Sequence, residues 1–338
     1  MEFYEKYKDI IITGLSLDTY NDMVNRWSES HRFYHNLNHL NYIIEKLEKS
    51  YFDGIITEPE RNKLIVVAFF HDIVYNPKAD DNESQSVRYF IEKCKDIGVA
   101  TDDFIDDVSM MIMDTKYRVK PNDSLSSIFW EIDNSILDSN INKLIEYEHQ
   151  IFKEYQWVSY DVYKENRIKF LESSLGRNEQ SDRNIKELIE YVRNRVISVG
   201  VYTGTFKFFH IGHYDILEKS KPMFDKVIIA FGQNPDKEEE EIIIPKRLEF
   251  NQIEKYDGLV TDLLNKIEKY GTIVTLIRGI RNGADLSYES NQLSFIRDLR
   301  PNTNVIFIPA DKEYEHISSS AIRSLMKFDK DAAKKYLI

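Results

Sequence analysis

Apolar residues recur every three or four positions through the first half of the chain, then in short unbroken runs through the second. Leu40, Tyr42, Ile43, Ile44 and Leu47 fall on one helical face,. Residues 61–74, 84–97, 141–155 and 160–175 repeat that period, with breakers at Gly54, Pro59, Pro77, Gly98 and Pro121,. The pattern predicts an all-α domain over residues 1–195. Beyond Arg195 the apolar runs at 196–202, 226–231, 272–277 and 304–308 read as strands,. Residues 214–221, 246–255, 259–270, 287–299 and a segment from Ser319 read as helices. Continuous apolar strands alternating with helices predict a parallel sheet covered on both faces. Residues 196–338 are therefore expected to form a Rossmann-like α/β domain, with ligands outside the carboxyl ends of its strands.

A length of 338 residues accommodates these two domains, and 42% hydrophobic content supplies ordinary globular cores,. No apolar run reaches the ~18 residues of a membrane span. The start, M-E-F-Y-E-K-Y-K-D, lacks the apolar core of a signal peptide,. The single cysteine, Cys94, forms no intrachain disulfide, and a cytoplasmic location is expected,. A net charge of −12 argues against nucleic-acid binding,. Anionic substrates must then be held by local clusters of Lys and Arg.

In the helical half, F-Y-H-N-L-N-H-L brings His35 and His39, A-F-F-H-D-I-V-Y brings His71 and Asp72, and E-I-D-N brings Asp133. A His-Asp pair within an apolar helix is unfavourable to bury unless a charge compensates it. A divalent metal does so with imidazole and carboxylate ligands drawn from three helices. The order H…HD…D resembles the HD-domain metal phosphohydrolases, as do F-H-D-I-V-Y and D-N-E-S-Q-S. That resemblance implies His39, His71, Asp72 and Asp133 as ligands of a divalent Mn, Fe, Mg or Zn ion. It implies His35, one helical turn before His39, as the general acid for hydrolysis of a phosphoester or nucleotide. Relatives carry a further histidine where this chain has D-T-K-Y-R. Lys116 and Arg118 there are either phosphate contacts or solvated surface, and Asn36, Asn82 and Glu83 either support the ligands or sit on helix surfaces. A regulatory module that senses a nucleotide without hydrolysing it is the alternative for this half.

In the second half, T-G-T-F-K-F-F-H-I-G-H follows the first strand, with a turn expected at Gly204 and a helix start near His210 and His213. Unpaired N–H groups at a helix N-terminus favour phosphate. N-P-D-K, R-G-I-R-N-G-A-D and Y-E-H-I-S-S-S-A-I-R each follow a later strand, so basic and hydroxyl groups gather on one rim. This order resembles phosphopantetheine adenylyltransferases, most specifically in R-G-I-R-N-G-A-D-L-S-Y-E. The resemblance implies transfer of AMP from ATP, with Mg²⁺, to 4′-phosphopantetheine. His213 and Lys237 would be catalytic, and Thr205, Lys237, Leu264 and Arg278 would bind the acceptor. Thr205, Phe206, His210, His213, Gly279, Ile280, Arg281, Glu289, Tyr314, Glu315, His316, Ile317, Ser318, Ser319 and Ser320 would bind ATP. Lys207 and Phe208 replace the family's usual Asp-Pro, and the chain stops at K-K-Y-L-I, short of the relatives' last helix. That helix contributes to the family's hexamers, so homo-oligomerisation stays open. Another phosphorylated acceptor, with adenylyl or cytidylyl transfer, is the alternative reaction.

Overall fold

The computed structural model describes residues 6–8, 10, 16–97, 101–117, 119–233, 244–268 and 271–338. The chain divides into two compact units: Met1–Glu154 with Arg167–Val192, and Tyr155–Asn166 with Arg193–Ile338. This differs from the expected boundary at residue 195 by one segment. Residues 155–166 group with the second unit, where Lys226 Nζ donates to the carbonyls of Gln156 and Val158 and Tyr160 Oη donates to that of Arg195.

The helical unit contains α1 (Leu17–Trp27), α2 (Leu37–Phe52), α3 (Glu58–Phe70), α4 (Asn82–Ile97), α5 (Asp102–Asp114), α6 (Ser124–Asp133) and α7 (Ile141–Glu154). It also takes the second part of α8 (Tyr160–Ser173) and most of α9 (Glu179–Asn194). Ser16, Asn36, Thr101 and Asp123 cap their helices through side-chain oxygens, which satisfies N–H groups that a helix start leaves unpaired,. α3 is the central element, because Leu64 to Phe70 are all buried. Trp27, Leu40, Ile43, Leu47, Phe90 and Phe129 complete one core around it.

The second unit is built on β1 (Ile197–Gly204), β2 (Lys226–Gly232), β3 (Gln252–Tyr256), β4 (Thr272–Ile280) and β5 (Asn304–Pro309). They pair in parallel in the order β3-β2-β1-β4-β5. The connecting elements are α10 (Ile211–Ser220), α11 (Val260–Glu268), α12 (Gly283–Leu299), α13 (Ser319–Phe328) and α14 (Lys330–Lys334). The expected α/β architecture is present, with one correction. Residues 246–255 form a short 3-10 turn, Lys246–Leu248, and then β3, not one helix. Pairing of Gln252 to Tyr256 with Ile228 to Gly232 outweighs the local pattern,. β1 lies between β2 and β4, so the strand order reverses beside it, the place at which open α/β sheets take ligands outside the strands' carboxyl ends,.

Candidate functional sites

At the end of β1 the chain turns at Phe206, not at Gly204 as expected. Phe206 has φ 41°, a left-handed conformation rare for a residue with a side chain,. Packing holds it there: its ring meets Tyr202, Phe209, His213 and Phe231 at centroid distances of 4.9–5.3 Å. Gly204 makes that possible. A Cβ at Gly204 would lie 2.7 Å from the Phe206 ring.

The turn delivers His210 to the N-cap of α10. His210 Nδ1 accepts from His213 N–H at 3.3 Å, and His213 Nδ1 accepts from His210 N–H at 3.4 Å. The two rings stack at 3.6 Å and 18°. The network therefore assigns both protons to Nε2. Burial lowers His210 to about 4, with Arg281 adding to it, and holds His213 well below the ordinary histidine value with help from His210 and Arg281. Near neutral pH both rings are uncharged N–H donors. Gly212 has no side chain to crowd this pair, since a Cβ there would lie 3.3 Å from His210 Nδ1.

β4 ends in Arg278, Gly279 and Ile280, followed by Arg281. Arg278 Nε is 3.2 Å from Glu289 Oε2. Arg281 forms a fork with Asp285, at 2.7 and 3.0 Å, and its Nη1 reaches Ile317 O at 3.5 Å. Both arginines are thus oriented by carboxylates on α12. The arginine–Asp285 fork is the part that sequence reasoning missed, although Asp285 lies inside the quoted R-G-I-R-N-G-A-D string. Tyr314 ends the 3-10 turn Lys312–Tyr314, with Glu315 and His316 exposed beyond it. Ser318 is the N-cap of α13, and Ser319 and Ser320 form its first turn. Phe208 packs with Ile317 and Ile322, which ties the histidine loop to the serine motif. Tyr336 O accepts from Ile211 N–H at 2.9 Å, so the chain's last residues also close on this loop. Thr205 and Lys207 are exposed. Leu264 is fully buried. Lys237 lies outside the described residues.

In the helical unit, His39 stands in the first turn of α2, His71 caps the C-terminus of α3, and Asp133 ends α6. The His-Asp pair therefore sits at a helix end, not within a helix. There the chain leaves the helix and both side chains can turn toward one point. Asp72 Oδ2 is 3.2 Å from His71 Nε2 and 4.0 Å from His39 Nε2. Asp133 Oδ1 is 3.1 Å from His39 Nε2 and 3.6 Å from His71 Nε2. His71 Nδ1 lies 2.9 Å from Ala68 O, which fixes its proton and leaves Nε2 facing the cluster,. That buried Nε2 has no aligned hydrogen-bond partner among the described residues. Burial alone would lower His71, but Asp72 and Asp133 raise it to about 9. Burial would raise Asp72, yet the histidines hold it well below the carboxylate range. His39, His71 and Asp72 each offer a ligand atom within 4.8 Å of the others, and Asp133 Oδ1 lies beside both imidazoles, a donor set that fits a divalent cation,.

His35 precedes the N-cap Asn36 and is not on α2, contrary to the one-turn spacing expected. The chain bend still brings its ring within 5.8 Å of His39. Glu154, unsuspected from the sequence, holds it. Glu154 Oε2 is 2.7 Å from His35 Nδ1 and accepts from Tyr75 Oη at 2.6 Å. Its Oε1 accepts the backbone N–H groups of Phe33, Tyr34 and His35 at 2.7–2.9 Å. Burial works against charge on both, but their pairing raises His35 and lowers Glu154 to about 2. Lys116 is tied to Asp80 O, Asn36 caps α2 and Asn82 ties down Asn76. Burial, followed by the nearby Asp72 charge, raises Glu83. Arg118 lies outside the described residues.

The cytidylyltransferase-like family profile matches residues 201–325. A phosphopantetheine adenylyltransferase of Streptococcus pneumoniae (strain CGSP14) is 31% identical over 141 residues, 40% of this chain and 87% of the relative. That of Tolumonas auensis is 32% identical over 143 residues, covering 40% and 85%. That of Cytophaga hutchinsonii is 33% identical over 144 residues, covering 40% and 93%.

Proposed function

Through its C-terminal domain this chain belongs to the phosphopantetheine adenylyltransferase family, and from that premise we propose that it transfers AMP from ATP to 4′-phosphopantetheine. The observation that carries this reading is identity of 31–33% across 85–93% of the relatives' length. The acceptor phosphate attacks the α-phosphorus in line, the bond to pyrophosphate breaks, and dephospho-coenzyme A forms. No covalent enzyme intermediate is needed. The buried, neutral His213 and His210 each present an Nε2–H to phosphate oxygens, and desolvation strengthens those hydrogen bonds,. Arg278 and Arg281, already aimed by Glu289 and Asp285, supply positive charge without a search through rotamers,. Thr205 contacts both substrates at the loop, Lys237 completes the acceptor site, and Ser318 to Ser320 offer hydroxyls at a helix start. Mg²⁺ accompanies the ATP phosphates.

The test is pyrophosphate release by the purified protein with ATP, Mg²⁺ and 4′-phosphopantetheine. Release at a rate of roughly 1–100 per second is expected. Its absence at millimolar substrate, with release on another phosphorylated acceptor, would replace this reading by the alternative reaction.

For the helical unit the reading is metal-dependent hydrolysis of a phosphoester. His39, His71, Asp72 and Asp133 would hold the metal, which lowers the pKa of a bound water. His35, kept protonated by Glu154, gives its Nε2 proton to the leaving oxygen. The orphaned Nε2 of His71 is the observation that supports a cation here rather than a closed hydrogen-bond network. Elemental analysis with a phosphoester panel tests it. A metal-free protein inert to every ester would leave the regulatory alternative.

A further inference from the structure

Away from both sites, the helical unit contains a cavity of about 530 Å³, against about 180 Å³ for the pocket beside His39. Its walls come from α6, the 3-10 turn Asn134–Asp138, the end of α8 and residues 174–178. We propose that this cavity is a nucleotide-binding site, recognising its ligand by an aromatic ring and by phosphate together.

The ring side is made by Trp130 and Phe170 of the lining,. The phosphate side is made by Arg177 and Lys120. Arg177 is pre-organised: its Nε and Nη2 grip Asp138 at 2.8 and 2.6 Å, and its guanidinium lies 5.9 Å from the Trp130 ring. Ser181 Oγ donates to the same carboxylate at 2.8 Å, which fixes Asp138 in turn. The loop carrying Arg177 is anchored as well. Gly176 takes φ 97°, open to glycine, and Asp182 accepts the N–H groups of Gly176 and Arg177,. A guanidinium held through two of its nitrogens by one carboxylate keeps the third, Nη1, for an incoming oxygen. Lys120 is paired with Glu131, and the two side chains are 50% and 54% exposed. Ion pairs so exposed hold weakly, so a phosphate oxygen can take the place of Glu131.

Volume sets the ligand class. Sites for small organic ligands run to roughly 300–1,000 Å³, so this cavity has room for a nucleotide, and phosphate alone would leave the aromatic wall unused. The position suggests a consequence. Trp130 and Asn134 line the cavity, whereas Asp133, between them in sequence, faces His39 and His71. Ser135 Oγ is hydrogen-bonded to Tyr42 Oη, in the lining of the pocket beside His39. An occupant would thus bear on the segment that positions Asp133.

The test follows indole fluorescence of the full chain during titration with ADP, adenosine and inorganic phosphate. ADP should give a saturable change that is lost in Trp130→Phe, with adenosine and phosphate each at least tenfold weaker. Lys120→Gln with Arg177→Gln should weaken ADP at least tenfold. Since Arg177 also holds Asp138, circular dichroism checks the fold of that pair. The exposed Lys120→Gln alone, expected to weaken ADP about threefold, decides the matter if the pair unfolds. A signal that survives Trp130→Phe, an affinity unchanged in the lysine variant, or phosphate binding as tightly as ADP would each overturn the proposal.

Discussion

Glu154 shows how one buried carboxylate is supported. Five hydrogen bonds converge on it: three from consecutive backbone N–H groups, one from Tyr75 and one from His35. A carboxylate so supplied stays ionised when buried, and it holds a proton on its histidine partner. The sequence contained a signal for it. α7 buries Leu144, Tyr147, Ile151 and Phe152, and Glu154 falls three residues after Ile151 on the same side,. A carboxylate at such a position needs a partner. Glu148, also on that face, has Arg167, and Glu154 has His35. Glu154→Gln keeps the shape and removes the charge, so the His35 pKa falls and less of the acid form remains. Hydrolysis should drop about 100-fold, with its alkaline limb moved to lower pH and its metal content unchanged. Glu154→Ala, by contrast, leaves His35 and three N–H groups unpaired and should cost about 3–5 kcal/mol of stability in chemical denaturation. Equal rates in wild type and the Gln variant would remove Glu154 from the mechanism.

At the scale of elements, the start of α10 was legible in its residues and hidden in its geometry. H-x-G-H marked a helix start after a strand, but spacing could not reveal that the two imidazoles cap each other's backbone N–H groups. Nor could it reveal that Phe206 takes the left-handed turn, because that conformation is stabilised by four aromatic rings that only the folded loop and β2 bring around it. The strand at 252–256 was missed for a related reason: F-N-Q-I-E-K-Y alternates weakly, and only pairing with β2 makes it extended,. The reciprocal cap has a pH consequence. His210 has a folded pKa of about 4 against an ordinary 6.5, so the unfolded chain binds more protons between those values,. Stability is therefore fully present above pH 6.5 and falls as pH drops toward 4. His210→Asn retains an N-cap acceptor without titrating in this range. Between pH 7 and 4.5 the wild-type C-terminal unfolding transition should lose about 2–3 kcal/mol more than the variant's. Parallel pH profiles, by calorimetry, would show that His210 titrates normally.

For the whole molecule, the net charge of −12 excludes a general anion-binding surface and places the burden on a few arranged cations,. The second unit meets it by directing Arg278 and Arg281, each set by a carboxylate on α12, to the carboxyl end of the sheet. The first unit instead gathers two carboxylates and two imidazoles, a donor set that fits a cation,. The described ligating and pairing groups of each site fall within its own unit. The two chemistries should then be separable by substitution. His213→Ala should reduce adenylyl transfer by at least 100-fold and leave metal content and phosphoester hydrolysis within twofold of wild type. Asp72→Asn should lose the metal and the hydrolysis and leave pyrophosphate release within twofold. Elemental analysis and both assays on the same preparations decide it. Loss of metal from the His213 variant, or a collapse of adenylyl transfer in the Asp72 variant, would mean that the two sites share a folding or functional unit, and their independence would have to be abandoned.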